Sequence, residues 1–286
     1  MKINDPIISG AVRSVKSIKA VLTIWISTLL LVCLVALPLK SSVKSVLGKS
    51  MITEQLQDGI DVSVLADLGN NLRTISSSFT AGLVLIMLGG ILLNVFFNGG
   101  LFTTLKNDEE KYSTAQFFRG AGIHFWSFLI ITLIVSLIII FTVLIFSGLA
   151  FAIANAGNNT PSSIRIPIII SIIIFALVLP IILLIVDYAR AWQVKANRSA
   201  AFKAIGIGFR QTFRKLLSSY PVMFILVFIQ VIFSWFMLKF ITGKGPQTGF
   251  GIFILFLLSQ FFFIVKLLLR VWRYGSVMSM FEKHPE

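Results

Sequence analysis

Six long runs of apolar residues constrain this chain more than any other feature of its sequence. Each run is an almost continuous series of Leu, Ile, Val, Phe and Ala. A helix needs about 20 apolar residues to cross the hydrocarbon core of a bilayer. It satisfies its own backbone hydrogen bonds, whereas a transmembrane barrel would show short alternating strands. We therefore predict six transmembrane helices, at about residues 20–38, 79–97, 126–150, 167–186, 221–241 and 251–269.

The composition favours the same fold class. Only 13% of the 286 residues are charged and 57% are hydrophobic, whereas a soluble domain carries about 25% charged residues. We predict one all-α integral membrane domain over residues 1–286. The net charge of +14 is typical of Lys and Arg collected beside anionic lipid head groups on the cytoplasmic side. That interpretation is favoured over a nucleic-acid partner.

The basic residues predict the orientation of the chain in the membrane. Seventeen of the 25 Lys and Arg residues fall in the N-terminal segment, in the segments after the second and fourth runs, and after the sixth run. Seven fall in the other loops, and Lys266 lies inside the sixth run. The positive-inside rule then places both termini in the cytoplasm. The expected location is the inner membrane, because outer-membrane proteins are barrels.

Three amphipathic segments precede the first, third and fifth runs. They begin at Asp5-Pro6, at Ser113 with Gln116, and at Asn197, each of which has the pattern of a helix start. Each is predicted to be an interfacial helix on the cytoplasmic side. The chain then consists of three hairpins, each preceded by a surface helix. The alternative is that amphipathic segments are simply common between the spans of multi-pass proteins.

Two further features concern the first hairpin. The loop at residues 39–78 is the only sizeable extracytoplasmic segment, and it is interpreted as a packed connector, with a lid or a partner-binding site as alternatives. The single cysteine, Cys33, lies inside the first run. One cysteine excludes an intrachain disulfide, and we expect Cys33 to be a small buried hydrophobic residue.

Ionisable groups inside the membrane are the first candidates for function, because burying a charge is costly. Lys266 is about one turn from the cytoplasmic end of its run, so its long side chain can extend to the interface. Gln230 and Gln260 lie near mid-depth, and interhelical hydrogen bonds explain both. The functional alternative is one polar site formed by these three side chains.

Asp187 ends the fourth run and is surrounded in the sequence by basic residues. Arg190 follows it closely, and Arg270 and Arg273 end the sixth run at the same predicted depth. We expect Asp187 to pair with one of these arginines, because partly buried charges are normally paired. The alternative is that the arginines bind a lipid phosphate.

The sequence offers little support for an enzyme. The two histidines, His124 and His284, are far apart, and no His, Cys and carboxylate cluster has metal-ligand spacing. No nucleophile elbow and no phosphate-binding Gly-Lys-Ser/Thr loop occurs. We predict no catalytic residue, no cofactor and no metal ion.

Two junctions resemble a known group of proteins. One is Asp187-Tyr188-Ala189-Arg190, followed by Ser199-Ala200-Ala201-Phe202 and Phe209-Arg210; the other is Asn98-Gly99-Gly100-Leu101 with Phe117-Phe118-Arg119-Gly120. Over about residues 95–240 the chain resembles bacterial multi-pass proteins that include the membrane domain sometimes fused to glycerophosphodiester phosphodiesterases. The resemblance implies a helical bundle with cytoplasmic surface helices and a lipid-related context. It implies no catalytic residue, since the chain has no soluble phosphodiesterase domain.

These observations favour a non-enzymatic scaffold, accessory subunit or lipid-interacting component. The expected partners are membrane lipids, anionic on the cytoplasmic side, and no nucleic acid is expected. A transporter or channel for a small solute or lipid is the alternative. A membrane-embedded lipid enzyme comes third.

Overall fold

The computed structural model describes residues 4–47, 62–106, 112–156, 161–243 and 248–283. Across these ranges the chain forms eight helices and no strand. The helices are α1 (Asn4–Lys16), α2 (Ile18–Leu47), α3 (Val62–Lys106), α4 (Thr114–Ala156), α5 (Pro161–Ala196), α6 (Ala201–Arg214), α7 (Leu216–Ile241) and α8 (Gly249–Glu282). The all-α prediction is confirmed.

Six of the helices are long and apolar enough to cross a membrane, as predicted, so the chain is a multi-pass membrane protein. Their apolar stretches are Ile18–Ser41, Ser76–Lys106, Thr114–Ile153, Arg165–Ala196, Leu216–Ile241 and Gly249–Glu282. Only 11–22% of the most apolar part of each is buried inside the protein, which leaves the remaining apolar surface for lipid. At 43 residues, α4 is about 65 Å long, so it extends well beyond a hydrocarbon core of about 30 Å.

The chain divides into two compact units, a smaller one at Thr23–Asn94 and a larger one that comprises Met1–Leu22 and Val95–Glu286. In the smaller unit, α2 and α3 pack closely. A Cβ atom at Gly82 would lie 3.2 Å from Val35, and one at Gly89 would lie 3.1 Å from Leu31. The residue number rises from Gly82 to Gly89 in α3 while that of the contacted residue falls from Val35 to Leu31 in α2. The two helices are therefore antiparallel.

The expectation for Cys33 is wrong, because this side chain is exposed rather than buried. A thiol behaves as a small hydrophobic group, so on a membrane-spanning helix it is as compatible with contact to lipid as with burial in a protein core. Residues 39–47 and 62–78 of the predicted outer loop are continuous with α2 and α3. The rest of that loop, residues 48–61, lies outside the described residues.

In the larger unit, the buried side chains concentrate at one end of the helices, which we call the packed end. They belong to residues 95–105 of α3, 117–135 of α4, 182–194 of α5, 222–227 of α7 and 267–281 of α8. At the opposite end of the same helices, large apolar side chains are exposed, among them Phe141, Phe151, Ile172 and Phe250. The larger unit therefore has a packed core at one end and a surface suited to hydrocarbon at the other.

The helix α1 docks on the end of α8 through small residues. Gly10 faces Ser276, and a Cβ atom at Gly10 would lie 2.6 Å from the Ser276 nitrogen. The Ser14 hydroxyl donates to the Leu268 carbonyl at 3.2 Å, and the Trp272 indole donates to the Ile7 carbonyl at 2.8 Å. The small residues of α1 therefore form its docking face, whereas its apolar residues Ile8, Val12 and Val15 are exposed.

The helix α6 docks on α5 in the same manner. Its buried residues include Ala201, Ala204 and Gly208, and a Cβ atom at Gly208 would lie 3.0 Å from the Ala189 nitrogen. Its large apolar residues, Phe202, Phe209 and Phe213, point away from the protein. Because only the small residues allow this close approach, the docking contact also fixes which face of α6 is exposed.

Two details of the predicted surface helices differ in the structure. The middle one is not a separate helix, because the residues from Thr114 onward are the first turns of α4. Ser113 does cap this helix, with its hydroxyl accepting from the Gln116 N–H at 3.5 Å.

Asn197 does not cap α6, as the sequence pattern predicted, because the N-cap is Ala200. Asn197 has φ 52° and ends α5 instead. The Asn197 N–H bonds the Val194 carbonyl at 3.4 Å, and the Arg198 N–H bonds the Gln193 carbonyl at 3.2 Å. This is a Schellman motif, in which Asn tolerates the left-handed conformation.

Candidate functional site

A buried charge cluster lies at the centre of the packed end. Asp187 of α5 is completely buried. Its Oδ2 lies 3.0 Å from Nε of Arg273 on α8, and its Oδ1 lies 3.7 Å from Nη1 of Arg190, one turn along α5. The two arginine side chains are themselves only 8% and 10% exposed. The structure thus brings together three of the four residues singled out in the sequence.

Other side chains hold the two arginines in place. Arg190 donates from Nη2 to the Thr132 hydroxyl at 3.0 Å, and its Cζ lies 5.7 Å from the centre of the Phe128 ring. The Arg273 Cζ lies 5.1 Å from the centre of the Tyr274 ring. An aromatic face attracts a guanidinium, more strongly when water is excluded. Both arginines are therefore positioned to neutralise Asp187.

The cluster is closed to ligands in this arrangement. No part of Asp187 is exposed, and the arginines beside it are at most 8% exposed as whole residues. Arg270, the fourth residue of the predicted set, lies one turn before Arg273 and is half-buried. Taken together, the geometry is that of an ion pair joining α5 to α8, with no space for a phosphate between the charges.

Polar contacts extend from this cluster along α5. The Gln193 amide donates to the Ser127 hydroxyl of α4, and the Tyr188 hydroxyl lies 2.7 Å from the Ser219 hydroxyl of α7. Asp187, Arg190 and Gln193 follow one another at three-residue spacing, which is the sequence signal for this polar face. The partner residues Ser127 and Ser219 carry no such signal, so they were not predicted from the sequence.

The three residues proposed as one intramembrane polar site do not form one. Gln230 of α7 donates from Nε2 to the Leu269 carbonyl of α8 at 3.0 Å, which is an interhelical hydrogen bond. Gln260 is half-buried, whereas Lys266 is exposed. Six residues of α-helix turn the chain by about 240°, so Lys266 and Gln260 lie on different faces of α8.

A polar cavity of about 300 Å³ lies at the packed end, between α3, α4 and the end of α5. Three basic side chains line it, Lys106, Arg119 and His124. The Lys106 ammonium donates to the Val194 carbonyl at 3.2 Å. His124 is 2% exposed, and its ring stacks on Phe128 with centres 5.7 Å apart. The sequence gives no sign of this position for His124, because the cavity is formed only where three helices meet.

An apolar crevice of about 480 Å³ lies far from this cavity, between the exposed ends of α4 and α5. It is lined by side chains such as Phe146, Ala150, Ile168 and Phe175. None of the described residues in its wall is charged. Apart from Ser147 and Ser171 the lining is apolar, which suits hydrocarbon.

Among the residues that the structure describes, no three His, Cys, Asp or Glu side chains are grouped so that they could hold a metal ion. No protein-family model matches this chain, and no curated protein or solved structure matches it either. The resemblance to the phosphodiesterase-associated membrane domains stays a prediction.

Proposed function

We propose that this protein is a non-enzymatic, lipid-interacting membrane component whose packed end lies at the cytoplasmic leaflet. The observation that supports this is the exposed face of α6. Phe202, Phe209 and Phe213 are 77%, 54% and 50% exposed. Lys203, Arg210 and Arg214 are exposed beside them on the same helix. Exposed aromatic rings flanked by basic side chains are the pattern of a helix lying in an anionic membrane interface.

The packing of one face of α6 on α5 supports membrane contact by the other face. Because Ala204 and Gly208 pack against α5, the helix cannot turn its aromatic residues into the protein. Leaving three phenylalanines in water would forfeit most of the stabilisation that burial gives, about 1.5–3 kcal/mol for each side chain. Lipid acyl chains restore that burial, and each basic residue near anionic head groups adds about 1 kcal/mol.

The closed charge cluster supports a structural role for Asp187 over a catalytic one. A general acid or base must lie within hydrogen-bond reach of the proton that it transfers. Asp187 is completely buried between Arg273 and Arg190. The packed end is therefore interpreted as a rigid platform that carries α1 and α6 at the membrane surface.

The test compares bound lipids in nanodiscs of phosphatidylcholine with and without phosphatidylglycerol. We expect the purified protein to retain phosphatidylglycerol in native mass spectra, and the double variant Arg210→Gln/Arg214→Gln to lose it. Two lost charges correspond to about 2 kcal/mol, or about 30-fold in lipid affinity. Arg165→Gln, an exposed arginine at the opposite end of α5, is the matched control.

Equal retention of phosphatidylglycerol by the double variant and by the control would overturn the proposal. The same spectra report on protein partners. A stoichiometric partner protein without enriched lipid would instead identify the chain as an accessory subunit.

A further inference from the structure

The polar cavity at the packed end has the lining of an anion site. Lys106 ends α3, Arg119 and His124 lie on successive turns of α4, and the described lining contains no acidic side chain. Gln116, Thr103 and Asn197 complete the polar wall. We propose that this cavity binds a phosphate group. This inference is independent of the proposed function, because no residue of α6 contributes to the cavity.

Lys106 is held in position for this role. Its Nζ donates to the Val194 carbonyl at 3.2 Å, close to the end of α5. An ammonium group has three N–H donors, so one such bond fixes the group and leaves two donors for a ligand. The exposed Arg119 supplies a planar guanidinium, which matches phosphate oxygens in a bidentate geometry.

The start of α4 adds a third positive feature. Gln116, in the first turn of this 43-residue helix, lines the cavity. The N-terminal end of a helix carries a partial positive charge and favours anions. The cavity is therefore bordered by two permanent cations and by the positive end of a helix dipole.

His124 provides the observation that most directly indicates a ligand. The side chain is 98% buried and lines the cavity, and its Nδ1 has no hydrogen-bond partner in the part of the chain that the structure describes. Buried polar side chains nearly always have a partner. The ring also stacks on Phe128, with centres 5.7 Å apart. With the proton on Nδ1 and that atom turned toward the cavity, the imidazole would donate to a phosphate oxygen.

The size of the cavity limits the ligand. A volume of about 300 Å³ is at the lower end of the range for small-molecule sites, about 300–1,000 Å³. It suits a phosphate or a small phosphate ester. Two sources have this chemistry, a phospholipid head group entering from the membrane interface and a free phosphorylated solute.

The experiment uses the full-length protein and inorganic phosphate as the probe. Thermal unfolding is followed in detergent while phosphate replaces chloride at constant ionic strength. In parallel, lipid retention is measured in nanodiscs that contain phosphatidylglycerol. Arg119→Gln is the test variant, because Arg119 is exposed and its loss leaves the packing intact. Arg165→Gln is again the matched control.

If the ligand is a free solute, phosphate should stabilise the wild type and Arg165→Gln against thermal unfolding. The apparent phosphate affinity of Arg119→Gln should be at least about tenfold weaker, because one contact to a charged group is lost. A head group as the source predicts no effect of free phosphate, and Arg119→Gln then retains fewer phosphatidylglycerol molecules than the wild type and Arg165→Gln, while the lipid at the exposed face of α6 is unaffected. If Arg119→Gln matches the control in both assays, the proposal is wrong.

The imidazole NMR signals of His124 provide an independent test of ligand binding, and this test leaves the buried His124 unchanged. The chain has two histidines, so in His284→Asn the remaining imidazole signals belong to His124. We expect these signals to shift when phosphate or phosphatidylglycerol is added, whichever of the two is the source, and not when chloride is added. Unchanged signals with both additions would contradict the assignment of His124 to the site.

Discussion

The Nε atom of Arg273 lies 3.0 Å from Oδ2 of Asp187, and this ion pair joins α8 to α5 inside the packed end. Both residues are buried, Asp187 completely. Removing two charges from water is costly, and the attraction between them offsets that cost only when the geometry is good. The pair therefore matters most when one partner is missing, because the other is then left as an uncompensated buried charge.

Replacing Asp187 by Asn should destabilise the protein strongly. The substitution keeps the shape of the side chain but leaves Arg273 buried without its counter-charge, which costs about 3–5 kcal/mol. Thermal unfolding in mild detergent is the measurement. Asp5→Asn is the control, because Asp5 and Lys283 form an exposed pair at 3.6 Å, with side chains 52% and 47% exposed. That pair should contribute about 0–1 kcal/mol, so equal losses in the two variants would mean that the buried pair is not stabilising.

The double variant Asp187→Asn/Arg273→Met should be less destabilised than the sum of its single variants. Asp187→Asn alone leaves two buried guanidinium groups without a counter-charge, whereas the double variant leaves only that of Arg190. We expect Arg190 to keep its hydrogen bond to Thr132 and its contact with Phe128 in every variant, because both partners are unchanged. A double-mutant cycle on unfolding free energies should give a coupling of about 1–3 kcal/mol. Additive losses would show that the two side chains act separately.

The sequence predicted the six spans well because a hydropathy pattern is local. It also predicted that Asp187 would meet an arginine, since an isolated acid among basic residues at one depth has few other partners. It could not choose between Arg270 and Arg273. These residues lie three positions apart and so differ by about 60° around α8. The rotation of α8 depends on tertiary packing, such as the contact of Gly10 with Ser276.

The same limit applies to the surface helices. The amphipathic pattern predicted α1 and α6, but their docking faces consist of small residues such as Gly10 and Gly208, which carry little weight in a hydrophobicity pattern. Asn197 fits a helix start and a helix end equally well in sequence, and only its φ of 52° decides between them. The cavity at His124 is formed by three helices, so no local pattern indicates it.

A pair of glycine substitutions two residues apart tests the docking of α6. Gly208→Ala drives a methyl group into the backbone carbonyl oxygen of Ile185 and to 3.0 Å from the Ala189 nitrogen, so α6 must move away from α5 at a cost of about 1–3 kcal/mol. Gly206→Ala meets no atom within 4 Å and should stabilise the helix by about 0.4–1 kcal/mol. Thermal unfolding of both variants should therefore change in opposite directions. A neutral Gly208→Ala would contradict the close packing of α6 on α5.

Thiol labelling in intact cells tests the predicted orientation. In a Cys33→Ala background, Ser199→Cys reports on the segment between α5 and α6, and Thr242→Cys reports on the opposite end of α7; both residues are exposed. We expect an impermeant maleimide to label Thr242→Cys in intact cells and Ser199→Cys only after lysis. The reason is that 17 of the 25 Lys and Arg residues belong to the side that includes Ser199, and basic segments are retained in the cytoplasm. Detergent-solubilised protein, in which both cysteines should react, controls for reactivity, and the reverse labelling order would place the packed end outside the cytoplasm.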